Sequence, residues 1–93
     1  MSWSEWLDFD KAGIGKVPEQ AGVFVTHASM KIHYIGGSAN MRRSLEELLN
    51  DNCAKNAKRF HYMPTTSFEE EKQKLLKDYA DKHQGKLPLC MEK

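Results

Sequence analysis

The chain has 93 residues, enough for one domain with a single modest core. Fourteen lysines and arginines stand against thirteen aspartates and glutamates, a formal net charge of +1 at pH 7. That balance excludes bulk attraction to nucleic acid or to an acidic partner, so any charged surface must be local.

From the N terminus, Met1 to Trp6 lacks the basic flank and apolar segment of a signal peptide. Trp3, Trp6 and Phe9 recur at i, i+3 and i+6, with Leu7 between them. This predicts a short helical turn that covers the core rather than a base-stacking platform. Lys11 to Ala21 carries two glycines and Pro18 and reads as a loop. Gly22 to His27 (GVFVTH) and Lys31 to Ile35 (KIHYI) are β-rich. Only Ala28 to Met30 separates them, which predicts an antiparallel hairpin. Asn40 to Asn50 reads as a helix, because Met41, Leu45, Leu48 and Leu49 share one stripe; Ser38 or Asn40 is its cap.

Asp51 to Lys58 is polar, Arg59 to Met63 (RFHYM) predicts a third strand, and Pro64 ends it. Ser67 with Glu70 has the spacing of a capping box. A second helix follows, with the stripe Phe68, Leu75, Leu76 and Tyr79, acids in its first turn, lysines later, and Gly85 as its stop. The order β-β-α-β-α predicts an α+β domain: a small three-stranded antiparallel sheet with two main helices, plus the N-terminal aromatic segment. Residues 1–93 form one domain, with its core about 17–80. Cys53 and Cys90 lie far apart and in no metal-type spacing, so two ordinary thiols in a reducing, cytoplasmic compartment are expected. No apolar stretch approaches the roughly 20 residues of a membrane span.

The stretch HYIGGSANMRRSL, from His33 to Leu45, delivers Gly36-Gly37-Ser38 to a helix start that bears Arg42 and Arg43. Free backbone N–H groups at such a junction, with the helix dipole and two guanidinium groups, suit an anion such as phosphate. The plain reading is a tight turn that needs glycine for its dihedral angles. Lys55, Lys58 and Arg59, followed by His61, form a basic run that suits contacts to a phosphate backbone. His33 and His61, on neighbouring strands, share a face but do not read as metal ligands. Glu69, Glu70 and Glu71 are helix-start acids rather than a metal cluster.

Pro18, the Gly22-Val23-Phe24 stretch, and Tyr34-Ile35-Gly36 at hairpin spacing resemble the GIY-YIG nuclease superfamily over roughly residues 17–80. The ending KDYADKHQGKLP is similar to small archaeal members of unknown role. The resemblance implies cleavage of a DNA phosphodiester with one divalent metal, Mg²⁺ or Mn²⁺. A tyrosine would assist water, an arginine on the first helix would steady the phosphate charge, and a glutamate on the second helix would hold the metal. Tyr34 matches. The other family positions hold Phe24, Ser44 and Lys72, and the nearest stand-ins are Arg42, Arg43 and Glu71. A lysine ammonium ligates no cation.

The expectation is therefore a catalytically degenerate domain without metal or cofactor. It would bind DNA or RNA weakly through Gly36, Gly37, Ser38, Arg42, Lys55, Lys58 and Arg59. The alternatives are an active metal-dependent endonuclease using Tyr34, Arg42, Arg43 and Glu71, and a protein-interaction module with an apolar patch at Trp3 and Trp6 or at Leu87-Pro88-Leu89.

Overall fold

A computed structural model describes residues 3–28 and 31–91. The turn expected at Ala28 to Met30 includes Ser29 and Met30, which lie outside the described residues. The fold is α+β. In chain order the elements are β1 (Leu7–Asp8), α1 (Lys11–Ile14), β2 (Gly22–Ala28), β3 (Lys31–Ser38), α2 (Met41–Leu48), a 3-10 turn (Ala54–Asn56), β4 (Arg59–Pro64) and α3 (Phe68–Lys82). The four strands form one antiparallel sheet in the order β1-β4-β2-β3.

β2 is the central strand of the hairpin region, and alternation along it feeds two cores. Phe24 joins Phe9, Ile14, Val17, Met41, Leu45 and Phe60 beneath α1 and α2. Val25 joins Ile35 and Tyr79 beneath α3, with Ile32, Leu75 and Leu76 packed around them. The sheet is thus the middle of three layers. Met41 and Leu45 are fully buried, which explains the apolar stripe of α2. Its cap is Asn40, whose Oδ1 accepts from the Arg43 amide at 3.2 Å.

Several expectations need correction. The N-terminal aromatics do not form a helical turn. Leu7 pairs with Phe60 and Asp8 with Arg59, so a fourth strand closes the β4 edge. The governing period is two: Leu7 and Phe9 turn to the α1/α2 core, while Trp6 stays on the other face against His61. The expected loop at Lys11 to Ala21 contains α1, capped by Asp10, whose Oδ1 accepts from the Gly13 amide at 2.7 Å. Ile14 and Val17 of this segment plug the core. The capping box does not form: Ser67 makes no side-chain cap, and its amide donates to Thr65 Oγ1 instead. Gly85 does stop α3, with φ of +83° and its amide on the Ala80 carbonyl at 2.7 Å.

His33 and His61 are not on neighbouring strands, because β2 lies between theirs. His33 also sits at a bulge, where Thr26 pairs with Tyr34 and His27 with Ile32.

The cysteines are not free thiols. Cys53, before the 3-10 turn, is bonded to Cys90 in the C-terminal tail, with Cα atoms 5.6 Å apart. The sequence argument for a reducing compartment therefore falls. The bond pins a tail that lies along the outer edge of β3, where the Leu89 amide donates to Ile32 O at 3.3 Å and the Cys90 amide to His33 O at 2.8 Å. That contact occupies edge groups that would otherwise be open to another strand. No helix among the described residues is long and apolar enough to cross a membrane.

Closing a loop across 37 residues restricts the unfolded chain. The chain-entropy model puts the stabilisation at about 4 kcal/mol. Reduction, or Cys53→Ser with Cys90→Ser, is expected to lower the unfolding free energy by about that amount in urea titrations. An unchanged midpoint would show that the bond does not constrain the chain.

Candidate functional site

The residues singled out in the sequence fall at two ends of the sheet. At one end, Gly22 pairs with Ser38 and with Pro64; at the other, His27 pairs with Arg59 and Ala28 with Lys31. Five residue steps along β2, from Gly22 to His27, separate the two ends, roughly 17 Å at the usual strand rise.

Near the first end, Phe24, Tyr34, Gly37, Ser44, Glu47 and Asp51 line a hollow of about 240 Å³. The Phe24 and Tyr34 rings lie nearly parallel there, with centroids 6.2 Å apart. The second face of Gly37 receives α3: a Cβ added to it would sit 2.9 Å from Phe68 O and 3.4 Å from Lys72 Cβ. Phe24, Tyr34 and Ser44 therefore share one hollow, whereas Lys72 approaches Gly37 from the α3 side of the sheet and does not line it.

The stand-ins do not join them. Arg42 Nε donates to Val17 O at 2.7 Å, and its Nη2 to Gly15 O at 3.3 Å, tying α2 to the segment after α1. Arg43 lies 3.7 Å from Glu47, and both are exposed. Glu71 pairs with Lys74 on its own helix at 3.6 Å and is not part of the hollow's lining. Ser44 Oγ donates to Ser38 Oγ at 2.6 Å, and Ser38 Oγ accepts the Asn40 amide at 3.0 Å. Asp51 accepts from the amides of Cys53 and Ala54, which hold its carboxyl below the usual range, Ala54 contributing most. The polar groups of this hollow are largely engaged in holding the fold.

The Gly-Gly-Ser stretch is likewise absorbed. Gly36 and Gly37 stay in β3, opposite Phe24 and Val23, and neither has positive φ. At the helix start, the Met41 amide donates to Gln20 O at 2.9 Å, and those of Asn40 and Arg43 to the Ser38 and Asn40 side chains. These three donors are thus taken from an incoming anion. Glycine at position 36 is required by packing instead: a Cβ there would lie 2.6 Å from two ring carbons of Phe24.

At the other end, Lys55, Lys58, Arg59 and Lys31 are all exposed. Arg59 lies 3.9 Å from Asp8 across the β1–β4 pair. The histidines nearby register this charge. His27 is pushed below its ordinary pKa by burial first and by Arg59 second; His33 by burial, then Lys31, then His27.

Beside this end, between α3 and the N-terminal segment, lies a cleft of about 560 Å³. Trp3 and Trp6 both stack on His61, with ring centroids 4.3 and 3.8 Å away, and His27 meets Trp6 edge-on at 4.1 Å. Burial, with His27 as a lesser cause, pushes His61 down to about 4, so it is neutral at pH 7. Trp6 is 42% exposed. The expected role as core cover thus holds for Phe9, and for Trp3, which packs against the Val25–Ile35–Tyr79 cluster, whereas Trp6 is left half exposed; both indoles wall this cleft. The sequence reading missed His27, Lys31 and Lys82 as well. The period-two placement of Trp6 and His61 was the available signal, and it was obscured by the i, i+3, i+6 spacing.

Among the described residues, no group of three or more His, Cys, Asp or Glu side chains is arranged to hold a metal ion. The residues around Tyr34 fit a divalent cation poorly. Asp51 caps backbone amides, Glu47 faces Arg43, and Lys72, at the position where the resemblance calls for a carboxylate, lies on the α3 side of the sheet.

Residues 2–82 match the model of a family described as a domain of unknown function (DUF7508), and the chain belongs to that family. No curated protein and no solved structure matches it.

The depressed pKa of His61 couples stability to pH. The unfolded chain binds a proton near pH 6.5 that the folded chain does not take until about 4. Stability from this group is full above about 6.5 and is lost as pH falls toward 4. His27 and His33 act in the same direction. His61→Phe, which keeps a ring between the indoles, is expected to show a smaller loss in denaturant midpoint between pH 7 and pH 4.5 than the parent. Equal losses would mean that His61 does not titrate abnormally.

Proposed function

We propose that this member of the DUF7508 family is a non-catalytic nucleic-acid-binding domain built on a GIY-YIG-like plan. The observation that carries the first half is the hollow around Tyr34. Its resemblance-implied positions hold a phenyl ring at Phe24 and a hydroxyl at Ser44, and Lys72, where a metal-binding carboxylate is called for, lies on the α3 side of the sheet instead. Hydrolysis of a phosphodiester gathers negative charge on the phosphate oxygens, and nothing in this hollow offers a fixed cation to meet it. Glu47 and Asp51 would repel the phosphate. Arg42 is committed to two backbone carbonyls.

The binding half is supported by the far end of the sheet. Lys31, Lys58 and Arg59 are exposed where β3 and β4 begin beside the end of β2, with Lys55 exposed on the 3-10 turn before them, in a protein with almost no net charge. Long cationic side chains on rigid strand ends suit phosphate contacts, which position a nucleic acid without reading its sequence. Three or four such contacts give weak, salt-sensitive, non-specific binding, in the micromolar range or poorer at physiological salt. This moves the interface away from Gly36, Gly37, Ser38 and Arg42 and keeps Lys55, Lys58 and Arg59.

Two measurements test the reading. No cleavage of plasmid, branched or single-stranded DNA is expected with Mg²⁺ or Mn²⁺; cutting that Tyr34→Phe abolishes would restore the endonuclease alternative. Binding of labelled oligonucleotides should weaken with salt, with a log–log slope of roughly −0.7 per phosphate neutralised on single strands and −0.9 on duplex. Lys58→Ala with Arg59→Ala should flatten that slope by about two contacts, while Arg42→Ala lowers stability instead. Absence of binding to any oligonucleotide at low salt would favour a protein-interaction module, for which Trp6, Leu87 and Leu89 supply exposed apolar surface.

A further inference from the structure

The lower face of the sheet is only partly roofed. α3 packs on β3 and β2, and the β4 side is left to the N-terminal segment. That segment is held in place by the pairing of the Ser4 amide with Tyr62 O at 2.8 Å and of the Tyr62 amide with Ser4 Oγ at 3.0 Å. The cleft between these two covers has an apolar floor, Val25 and Ile35, and one wall made of the Trp3–His61–Trp6 stack. Leu75 and Tyr79 of α3 face it, and Asp78, Lys82 and His83 form its rim.

Three features define what such a cleft accepts. Its long wall is a set of flat rings, which favours a flat π-system over a branched aliphatic group. Its volume of about 560 Å³ is that of a small-molecule site rather than of a helix groove. It also has polar groups with capacity to spare. Among the described residues, His27 Nδ1 is buried without a hydrogen-bond partner, and the Asp78 carboxylate and Lys82 ammonium stand at the rim outside any ion pair. A nitrogen heterocycle offers a ring face to the wall and an edge of donors and acceptors to the rim.

The cleft also opens onto charge. His27 lines it and is the direct β-ladder partner of Arg59, so the cleft and the basic sheet end share a residue. Lys82 adds a cation at the rim. We infer that this cleft seats an unpaired base of a single-stranded nucleic acid, with the adjoining phosphates led onto Lys82, Lys58 and Arg59. The inference rests on the nucleic-acid reading above and specifies it. A base within a duplex is already stacked on both faces and hydrogen-bonded along its edge, so only a single strand presents one to a recess of this kind.

Trp3 and Trp6 are the chain's only tryptophans, and both line the cleft, so intrinsic fluorescence reports on it alone. The probes are labelled 12-nucleotide dT, dA and rU strands and a 12-base-pair dA·dT duplex, titrated into the full, oxidised chain at low salt. Single strands are expected to quench tryptophan emission with the same dissociation constant that anisotropy gives, and to bind about tenfold tighter than the duplex. Trp6→Ala should weaken single-strand binding roughly 5- to 100-fold, as loss of one stacking platform does, and leave duplex binding unchanged. Trp6→Phe should restore most of it. Circular dichroism of the variants checks the fold, and quenching of the parent needs no variant at all. Equal binding of strand and duplex without quenching, or an unaffected Trp6→Ala, overturns the inference and leaves the nucleic-acid reading standing. Binding to neither form overturns both.

Discussion

At Gly36 a Cβ would lie 2.6 Å from two ring carbons of Phe24 and 2.8 Å from Cε1 of Tyr34. No side chain fits there. At Gly37 it would lie 2.9 Å from Phe68 O on the opposite face. Successive residues of a strand point to opposite sides of a sheet, so two neighbouring bare positions relieve two different contacts. On one side the phenyl ring of Phe24 settles over β3 and joins the core that α2 closes with Met41 and Leu45. On the other, the first turn of α3 sits directly on the β3 backbone. Gly22 serves the same purpose on β2, where a Cβ would meet Met41 Sδ and Met63 O. The three glycines set how closely the layers approach.

The placement of α3 follows from that seat. A helix resting on β3 at its first turn runs along β3 and β2 and cannot also cover β4. The uncovered strip exposes His61 in the middle of a sheet face. Burial there would leave a titratable ring among apolar side chains, and the two indoles that stack on it supply cover without hydrogen bonds. The result is a ring kept neutral at pH 7. The N-terminal strand is thus more than an edge: it carries the second cover of the lower face and, through Phe9, a plug for the upper core.

Periodic elements were legible from the residues. The hairpin, the third strand, both longer helices and the stripe of α2 follow from alternation and 3.6-residue spacing, which survive in any context that buries one face. What was missed has local physical causes. Trp3, Trp6 and Phe9 satisfy a helical spacing while Leu7 and Phe9 satisfy a strand spacing, and pairing with Phe60, invisible without the tertiary fold, decides between them. α1 is a single turn set by Asp10, too short for any periodic signal. The disulfide joins residues that only the return of the tail to β3 brings together. For the site, Phe24, Tyr34 and Ser44 were singled out through the resemblance alone, and they line one hollow. The commitment of Arg42 to Val17 and Gly15 was not legible, since it depends on where a loop residue's carbonyl lies.

The Tyr34 hollow and the lower cleft differ in how their polar atoms are used. Around Tyr34, the hydroxyls of Ser38 and Ser44 satisfy each other and a helix start, Asp51 satisfies two amides, and Arg43 and Glu47 face each other. A group already hydrogen-bonded in place gives a ligand little, because binding must first break what exists. In the lower cleft, His27 Nδ1 has no partner among the described residues, and an indole stands 42% exposed beside it. Both are unfavourable in an isolated domain, the first as an unmet hydrogen bond and the second as apolar surface in water. Folding alone explains the first recess, since its polar groups close the helix start and the loop after α2. It does not explain why the second retains an unmet nitrogen and a half-wet ring within reach of Arg59 and Lys82. A bound flat ring would cover that exposed indole, and this is the ground on which the proposed binding function is placed in the lower cleft.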